Sequence, residues 1–391
     1  MIPVWEPVLD GNEERYVRDC LATNWISSLG RYITRFEEAF AGWCGMPHGV
    51  ACSSGTAALH LSLVALGIGP GDEVIIPDFT LIVSANTVIL AGAKPVLVDV
   101  DPRTWCLDPG KIEEKITSRT RAIMPVHMYG HPCDMSAIEE IARRHNLAVV
   151  EDCAEAHGAE IGDRKVGTFG DAGCFSFYGN KILTTGEGGM VLVRDAALAA
   201  KLRLLRDQGF EAPRFVHRVV GFNYRLTNVQ AAIGLAQTEK ADEKVHRKRE
   251  IASWYLKLLE VSEDIELPVE AAGAKNVYWM LGVKLGPRFA QGRDAVMDEL
   301  KAKGVETRAF FCPMHRQPVF RDGGDPRFPD VRGDYPVSDD LWNRGLYLPS
   351  GPGLTRAQAQ EVVEKLLECE RPSSTPSGRA QGEAASPRRA V

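Results

Sequence analysis

The chain has 391 residues, more than one hydrophobic core usually comprises, and its 45% hydrophobic and 25% charged residues are typical of a globular protein. Its net charge of −6 gives no electrostatic reason to bind nucleic acid or an anionic membrane surface. No segment approaches the roughly 18 uninterrupted apolar residues of a membrane span.

The nine cysteines are an odd number without a CxxC pair, which favours free thiols in a reducing compartment over a disulfide framework. The first residues lack the basic and apolar regions of a signal peptide, so we predict a cytoplasmic protein. His127, His131 and His157 show no ligand spacing such as HExxH, and we predict no metal site.

From residue 48 to about residue 194, short β-branched runs alternate with helical ones. The predicted strands span 73–77, 95–100, 121–127, 147–152, 173–177 and 190–194, and the predicted helices span 57–66, 80–91, 109–116 and 135–145. This alternation predicts an α/β fold with a mostly parallel central sheet and flanking helices.

A second, smaller α+β domain is predicted after one long helix over 227–259, which is rich in Ala, Gln, Glu and Lys. Its predicted elements are strands at 277–285 and 306–310 and helices at 293–303 and 355–368. We therefore predict a large domain over residues 1–240 and a small domain over 241–370. Residues 371–391 lack apolar periodicity and are predicted to be a disordered tail.

A phosphate site is predicted at the start of the helix over 57–66. Ser54, Gly55 and Thr56 precede or open this helix. The first turn of a helix offers free backbone N–H groups and the positive end of the helix dipole, and both favour an anion.

Lys181 is the most informative residue, because it lies between the segment SFYGNK at 176–181 and a glycine-rich turn at 186–189. Asp152 ends a predicted buried strand, at the edge where open α/β sheets place their ligand groups. A phosphate cradle, a strand-end acid and a lysine on a turn together predict a site for pyridoxal 5'-phosphate (PLP), bound to Lys181 as a Schiff base.

These motifs carry a family resemblance. With the opening MIPVWEP, the stretch EDCAEA at 151–156 and the GEGGM that follows SFYGNK, the chain resembles the DegT/DnrJ/EryC1/StrS sugar aminotransferases of PLP fold type I. The resemblance runs from residue 1 to about residue 368. It implies the fold-type I architecture, a mostly parallel central sheet with flanking helices plus a smaller C-terminal α+β domain.

The resemblance also implies roles for residues around PLP. Asp152 is expected to keep the pyridine nitrogen protonated, and Glu155 to lie beside the ring hydroxyl, where the perosamine-forming branch has Glu and many relatives have Gln. Ser176 is expected to join the helix N-terminus at the phosphate, although a strand-end serine can also simply bind a turn. Phe79 is the candidate for stacking on the ring, but a Phe after a strand is also typical of a core residue.

Further residues are implied at the edges of the site. Asn223 and Arg225 match a segment that reaches the cofactor phosphate of the neighbouring subunit, which implies a homodimer with shared active sites. Arg308 and His315 match a branch-specific arrangement that faces the sugar or its diphosphate, although a lone His is also often structural. The segment 278–279 matches a region near the substrate channel, and aromatic core is the alternative.

The implied activity is transfer of an amino group from glutamate to C4 of GDP-4-keto-6-deoxymannose, a nucleotide-linked ketosugar. Transfer to C3 of the 3-keto isomer, as in mycosamine pathways, is the alternative that these motifs leave open. Relatives that dehydrate at C3 carry histidine in place of the lysine, and Lys181 counts against that reading. A non-catalytic PLP-binding regulator is less compatible with Asp152, Ser176 and Lys181, and no GxGxxG indicates a dinucleotide site.

Overall fold

A computed structural model describes residues 1–213 and 215–371. Apart from Arg371, the predicted tail lies outside the described residues. Among the described helices, none combines the length and the apolar character that a membrane crossing requires.

A seven-stranded sheet forms the centre of the first two thirds of the chain. Its strands are β1 (His48–Cys52), β2 (Glu73–Pro77), β3 (Lys94–Val98), β4 (Thr120–Ile123), β5 (Ala148–Asp152), β8 (Ala172–Ser176) and β9 (Gly189–Val193). Their order is β1-β9-β8-β5-β4-β2-β3, and only the pairs of β9 with β1 and β8 are antiparallel. The predicted mostly parallel sheet is confirmed.

Helices cover both faces of this sheet, since strand residues alternate between two hydrophobic clusters. Val149 packs into one cluster and Val150 into the other, as the two-residue period of a strand requires. The helices of this part are α1 (Glu13–Ala22), α2 (Arg31–Cys44), α3 (Gly55–Ala65), α4 (Val83–Leu90), α5 (Met135–His145) and α6 (Ala196–Arg206).

The remaining elements form two smaller sheets and their helices. Strands β10 (Ile265–Glu266), β12 (Leu281–Leu285), β14 (Gly345–Leu348) and β13 (Arg308–Ala309) make an antiparallel sheet, and β11 (Ala274–Lys275) pairs with the hairpin β6 (Glu160–Ile161) and β7 (Arg164–Lys165). The helices are α7 (Asn228–Glu239), α8 (Ala241–Leu259), α9 (Arg293–Ala302), α10 (Pro318–Arg321), α11 (Pro336–Arg344) and α12 (Arg356–Leu367).

The boundary between the predicted domains stays a prediction. Ile2 forms a parallel bridge with Val305, so the start of the chain pairs with the C-terminal part rather than with the central sheet. The first residues would therefore belong with the small domain if the two parts were separated.

Two predicted helices differ in the structure. The long helix over 227–259 is interrupted at Lys240, where φ is −115° and α7 gives way to α8. The segment 109–116 forms two short 3₁₀ turns instead of an α-helix. Asp108 accepts a hydrogen bond from the N–H of Gly110, which stabilises a turn at a point where an α-helix would have to begin.

Candidate active site

A cavity of about 310 Å³ opens at the carboxyl ends of β5 and β8, next to the first turn of α3. Asp152 ends β5 and Ser176 ends β8, so the parallel sheet brings both to one edge. The lining residues are Ser54, Gly55, Thr56, Leu59, Thr80, Leu81, Val83, Val126, Asp152, Ala154, Glu155, Ser176, Tyr178, Asn180, Lys181, Glu187, Trp279, Phe311 and Tyr347.

Lys181 reaches this cavity from the turn that follows β8. Its backbone N–H donates to the carbonyl of Tyr178, at 2.9 Å, and the residue as a whole is only 7% exposed. Burial lowers the pKa of the amine below its ordinary value, although the carboxylates of Glu155 and Asp152 oppose this by favouring the charged form. A lysine held in this way can become a neutral nucleophile more easily than a surface lysine.

Asp152 is held from two sides inside the cavity wall. One carboxylate oxygen accepts from the backbone N–H of Ala154 at 3.1 Å, and the other accepts from the hydroxyl of Ser84 at 3.4 Å. Burial raises the pKa of this carboxyl, which the Ala154 bond and the amine of Lys181 partly offset. A cationic ring N–H placed against Asp152 would stabilise its charge in this buried position.

Glu155 lies three residues further on and accepts from the backbone N–H of Tyr129 at 2.8 Å. Burial raises its pKa to about 7, against the opposing effect of Lys181. A carboxyl with this pKa can accept or donate a proton near neutral pH.

The N-terminus of α3 is shaped to receive an anion. The side chain of Ser54 caps the helix by accepting from the N–H of Ala57 at 3.1 Å, and the earlier N–H groups of the first turn have no intrahelical acceptor. A Cβ on Gly55 would lie 2.7 Å from the Cβ of Ser176, so only glycine lets strand and helix approach this closely. The predicted phosphate residues Ser54, Gly55, Thr56 and Ser176 therefore surround one place.

Phe79 does not line the cavity. It is completely buried in an aromatic cluster, with ring centroids 6.1 Å from Tyr129 and 5.8 Å from Phe310, and its neighbour Thr80 lines the cavity instead. Its stacking role stays a prediction that this position does not support.

The two predicted substrate residues also lie outside the lining. Arg308 is exposed and forms an ion pair with Glu306 at 2.5 Å. His315 is held by two carboxylates, with Nδ1 at 2.7 Å from Asp78 and Nε2 at 3.1 Å from Asp339. Because both ring nitrogens are engaged, His315 connects segments of the protein, and its substrate role stays a prediction.

Asn223 and Arg225 do not line the cavity and belong to the segment before α7. Arg225 pairs with Asp207 at 2.5 Å, and Asn223 forms an antiparallel bridge with the same residue. The carbonyl of Tyr224, which lies between them, accepts from the backbone N–H of Ser53 at 2.8 Å, and the expected contact with a neighbouring subunit stays a prediction.

Sequence reasoning missed several residues that complete the site. Ser84 donates a hydrogen bond to Asp152 from helix α4, and Tyr347 lines the cavity from strand β14.

 Tyr347 belongs to no motif that the sequence shows. For Trp279 the sequence indicates only the region of a substrate channel. The signals that could have found Ser84 and Tyr347 exist only in three dimensions, since both lie more than 60 residues from Asp152 in the chain.

A second cluster of metal-ligating types lies behind the site. His127, Glu151 and Cys153 are completely buried, with candidate ligand atoms within 4.8 Å of one another. The carboxylate of Glu151 already accepts from His127 and from the backbone N–H groups of residues 167, 169 and 170. This cluster therefore has a structural explanation, and the absence of a metal stays a prediction.

Comparison with known proteins identifies relatives over almost the whole chain. The model of the DegT/DnrJ/EryC1/StrS aminotransferase family matches residues 7–367. GDP-perosamine synthase of Caulobacter vibrioides is 51% identical over 367 residues, which are 93% of this chain and 97% of that protein. GDP-perosamine synthase of Escherichia coli O157:H7 is 44% identical over 368 residues, covering 94% and 98% of the two chains.

Solved structures agree with this comparison. DesV of S. venezuelae, determined in complex with a ketimine intermediate, has a TM-score of 0.85 and 37% identity, and the match covers 92% of this chain and 95% of that one. The expected fold-type I architecture is confirmed by this likeness and by the mostly parallel sheet.

Proposed function

This chain belongs to the DegT/DnrJ/EryC1/StrS aminotransferase family, and on that premise we propose that it transfers an amino group from glutamate to C4 of GDP-4-keto-6-deoxymannose, giving GDP-perosamine. The similarity to GDP-perosamine synthases at 41–51% identity supports this choice of substrate. The observation that supports the chemistry is the buried Lys181, which faces Asp152 and Glu155 in one cavity.

The residues of this cavity fit PLP. The first turn of α3 with Ser176 offers donors to a phosphate, and Gly55 leaves room where a Cβ would collide with Ser176. Asp152 offers a buried carboxylate to a protonated ring nitrogen, and Lys181 offers an amine to an aldehyde. When bound, PLP supplies the aldehyde that accepts the amino group and the ring that withdraws electrons from the reacting carbon.

The protein's own groups would divide the remaining work. Asp152 would keep the ring nitrogen protonated, because its buried charge needs a cationic partner. The Nζ atom of Lys181, once released by the incoming donor, would carry the proton between the donor carbon and the cofactor. Trp279, Phe311 and Tyr347 line the cavity with aromatic surface and would exclude water during the transfer.

We also propose that the enzyme is a homodimer with shared active sites. Asn223 and Arg225 do not line their own cavity, and several apolar side chains are exposed on segments that precede α2 and α7. These side chains are Trp25 at 54%, Ile26 at 51%, Leu29 at 76%, Phe210 at 41% and Val220 at 87% exposure. A partner subunit would cover them.

The substrate assignment is tested by product analysis. The purified enzyme is incubated with GDP-4-keto-6-deoxymannose and glutamate, and the carbon that carries the new amine is located by NMR. An amine at C4 supports the proposal. No product from this substrate, together with a C3 amine from the 3-keto isomer, would favour the mycosamine-type alternative.

The non-catalytic alternative is tested by the half-reaction with glutamate alone. Conversion of glutamate to 2-oxoglutarate, with transfer of the amino group to the bound cofactor, would reject a purely regulatory protein. Cofactor binding without any exchange would contradict the proposed enzyme.

A further inference from the structure

Trp279 makes an unusual contact with the reactive amine. The Nζ atom of Lys181 lies 3.6 Å from the centroid of the Trp279 ring, well inside the range of a cation–π interaction. Trp279 is only 3% exposed, so solvent screens this contact little. The indole face can therefore stabilise a charged Lys181 without an ion pair.

The position of the Trp279 ring is fixed at two points. Its indole N–H donates to the carbonyl of Asn180 at 2.7 Å, and Asn180 directly precedes Lys181. On the other side, a Cβ on Gly130 would lie 2.8 Å from the backbone nitrogen of Trp279, and Gly130 has a φ of +101°. The ring is thus aligned with the lysine by its own hydrogen bond and by close backbone packing.

We propose that Trp279 is a positioning residue that holds the Lys181 amine over its indole face whenever that amine is not bound to the cofactor. The proposal rests on the proposed function, because only a lysine that is released and recaptured needs such a resting place. It gives Trp279 a role beyond lining the cavity.

The other charged and titratable groups that face Lys181 define the background of the test. Asp152 and Glu155 favour the charged amine, and the completely buried His157, whose pKa burial lowers to about 3, stays neutral. None of these groups changes when Trp279 is replaced. A change in the titration of Lys181 would therefore report the indole.

The experiment uses the full-length protein from which the cofactor has been removed. It is labelled with acetic anhydride across a pH series, and acetylation of Lys181 is quantified by peptide mass spectrometry. The midpoint of the pH profile reports the amine independently of its accessibility. In Trp279→Leu we expect the midpoint to move down by about one pH unit, because the charged form loses the indole face.

Two further variants control this result. Trp279→Phe keeps an aromatic face, so its midpoint should move down by less than that of Trp279→Leu, and it serves alone if the leucine variant does not fold. Phe311→Leu removes an aromatic residue of the same cavity that does not lie over the amine, and its midpoint should stay at the wild-type value.

The proposal fails if the Trp279 variants titrate like wild type, or if Phe311→Leu shifts the midpoint as far as Trp279→Leu does. Failure of the proposed function is a separate result. It would appear as cofactor attached elsewhere than Lys181, whatever the midpoints of these variants.

Discussion

Glu155 illustrates how burial tunes a single side chain. The residue is 4% exposed, and burial raises the pKa of its carboxyl to about 7, from an ordinary value near 4.5. In the unfolded chain this carboxyl is charged above its ordinary pKa, whereas in the folded protein it keeps its proton up to about pH 7. The folded protein therefore binds more protons between these values and loses stability as the pH rises through them.

We expect Glu155→Gln to remove this loss. As the pH rises from about 5 to about 8, the free energy of unfolding of the cofactor-free wild type should fall relative to that of the variant, by on the order of 2 kcal/mol. Urea denaturation at the two pH values measures the difference. Parallel behaviour of variant and wild type would show that the carboxyl titrates normally.

Gly55 tests the shape of the phosphate site. In Gly55→Ala the new Cβ would lie 2.7 Å from the Cβ of Ser176, so the helix and the strand must move apart. We expect cofactor affinity to fall about tenfold or more, measured by titration of the apoenzyme with PLP.

Gly42→Ala is the matched control, because a Cβ on this residue of α2 would have no atom within 4 Å. It should leave cofactor affinity unchanged. Equal affinity in the Gly55 variant would contradict the assignment of the α3 N-terminus to the phosphate.

His315 connects the loop after β2 to the C-terminal part of the chain. Its backbone N–H and its Nδ1 both contact the carboxylate of Asp78, and its ring stacks on Tyr335 with centroids 4.9 Å apart. Burial lowers the pKa of His315, but hydrogen bonding and charge from Asp78 and Asp339 outweigh it, so the net pKa is raised.

A raised histidine pKa stabilises the folded protein at pH values below the unfolded pKa, and this contribution is lost as the pH rises through the folded pKa. We expect His315→Gln to lower the free energy of unfolding by about 1 kcal/mol at pH 6, and by less at pH 9. Thermal or urea denaturation at both pH values checks this.

His145→Gln provides a control at an exposed ion pair. His145 contacts Glu113 at the end of α5, where both side chains are at least one third exposed. Its replacement should change stability little. A pH-independent loss in His315→Gln would show that the imidazole acts only by packing.

The order and type of the central elements could be predicted because their signals are local. The strand 73–77 and the helix 135–145 match the observed β2 and α5 at both ends. Buried parallel strands are continuous apolar runs, and α5 has a cap at Asp134, which accepts from the N–H of Ala137.

Other features depend on tertiary structure or were overlooked. No proline or glycine lies at Lys240 or next to it, so the sequence predicts the two helices as one. Helix α2 was not predicted, although Tyr32, Phe36 and Phe40 repeat every four residues and are all buried. That periodic signal was present in the sequence.

The residues of the candidate site also differ in whether a local sequence signal identifies them. Lys181, Asp152, Glu155, Ser176 and the α3 N-terminus could be predicted because each belongs to a contiguous motif. The motif of Phe79 was also local, but whether its ring faces a ligand or the core depends on Tyr129 and Phe310, which are distant in the chain.

The proposed dimer predicts that a charge placed at its interface weakens both assembly and cofactor binding. Val220 is 87% exposed and lies near Asn223, the residue expected at the partner's cofactor. We expect Val220→Asp to weaken the dimer, because a charge would be buried at the interface, and to weaken cofactor binding with it. Sedimentation and PLP titration measure the two effects.

Val261→Asp is the control, since Val261 is 75% exposed but follows α8 instead of belonging to the segments before α2 and α7. It should leave the oligomeric state unchanged. A monomeric wild type with full cofactor affinity would contradict the shared site.

The central claim is that Lys181 forms the covalent link with PLP, and the most direct measurement is borohydride reduction of the purified holoenzyme followed by peptide mapping. We predict one pyridoxylated peptide, modified at Lys181, and no such peptide from Lys181→Ala, which should fold but lack turnover. Cofactor on another side chain, or no attached cofactor in the active wild type, would contradict the account.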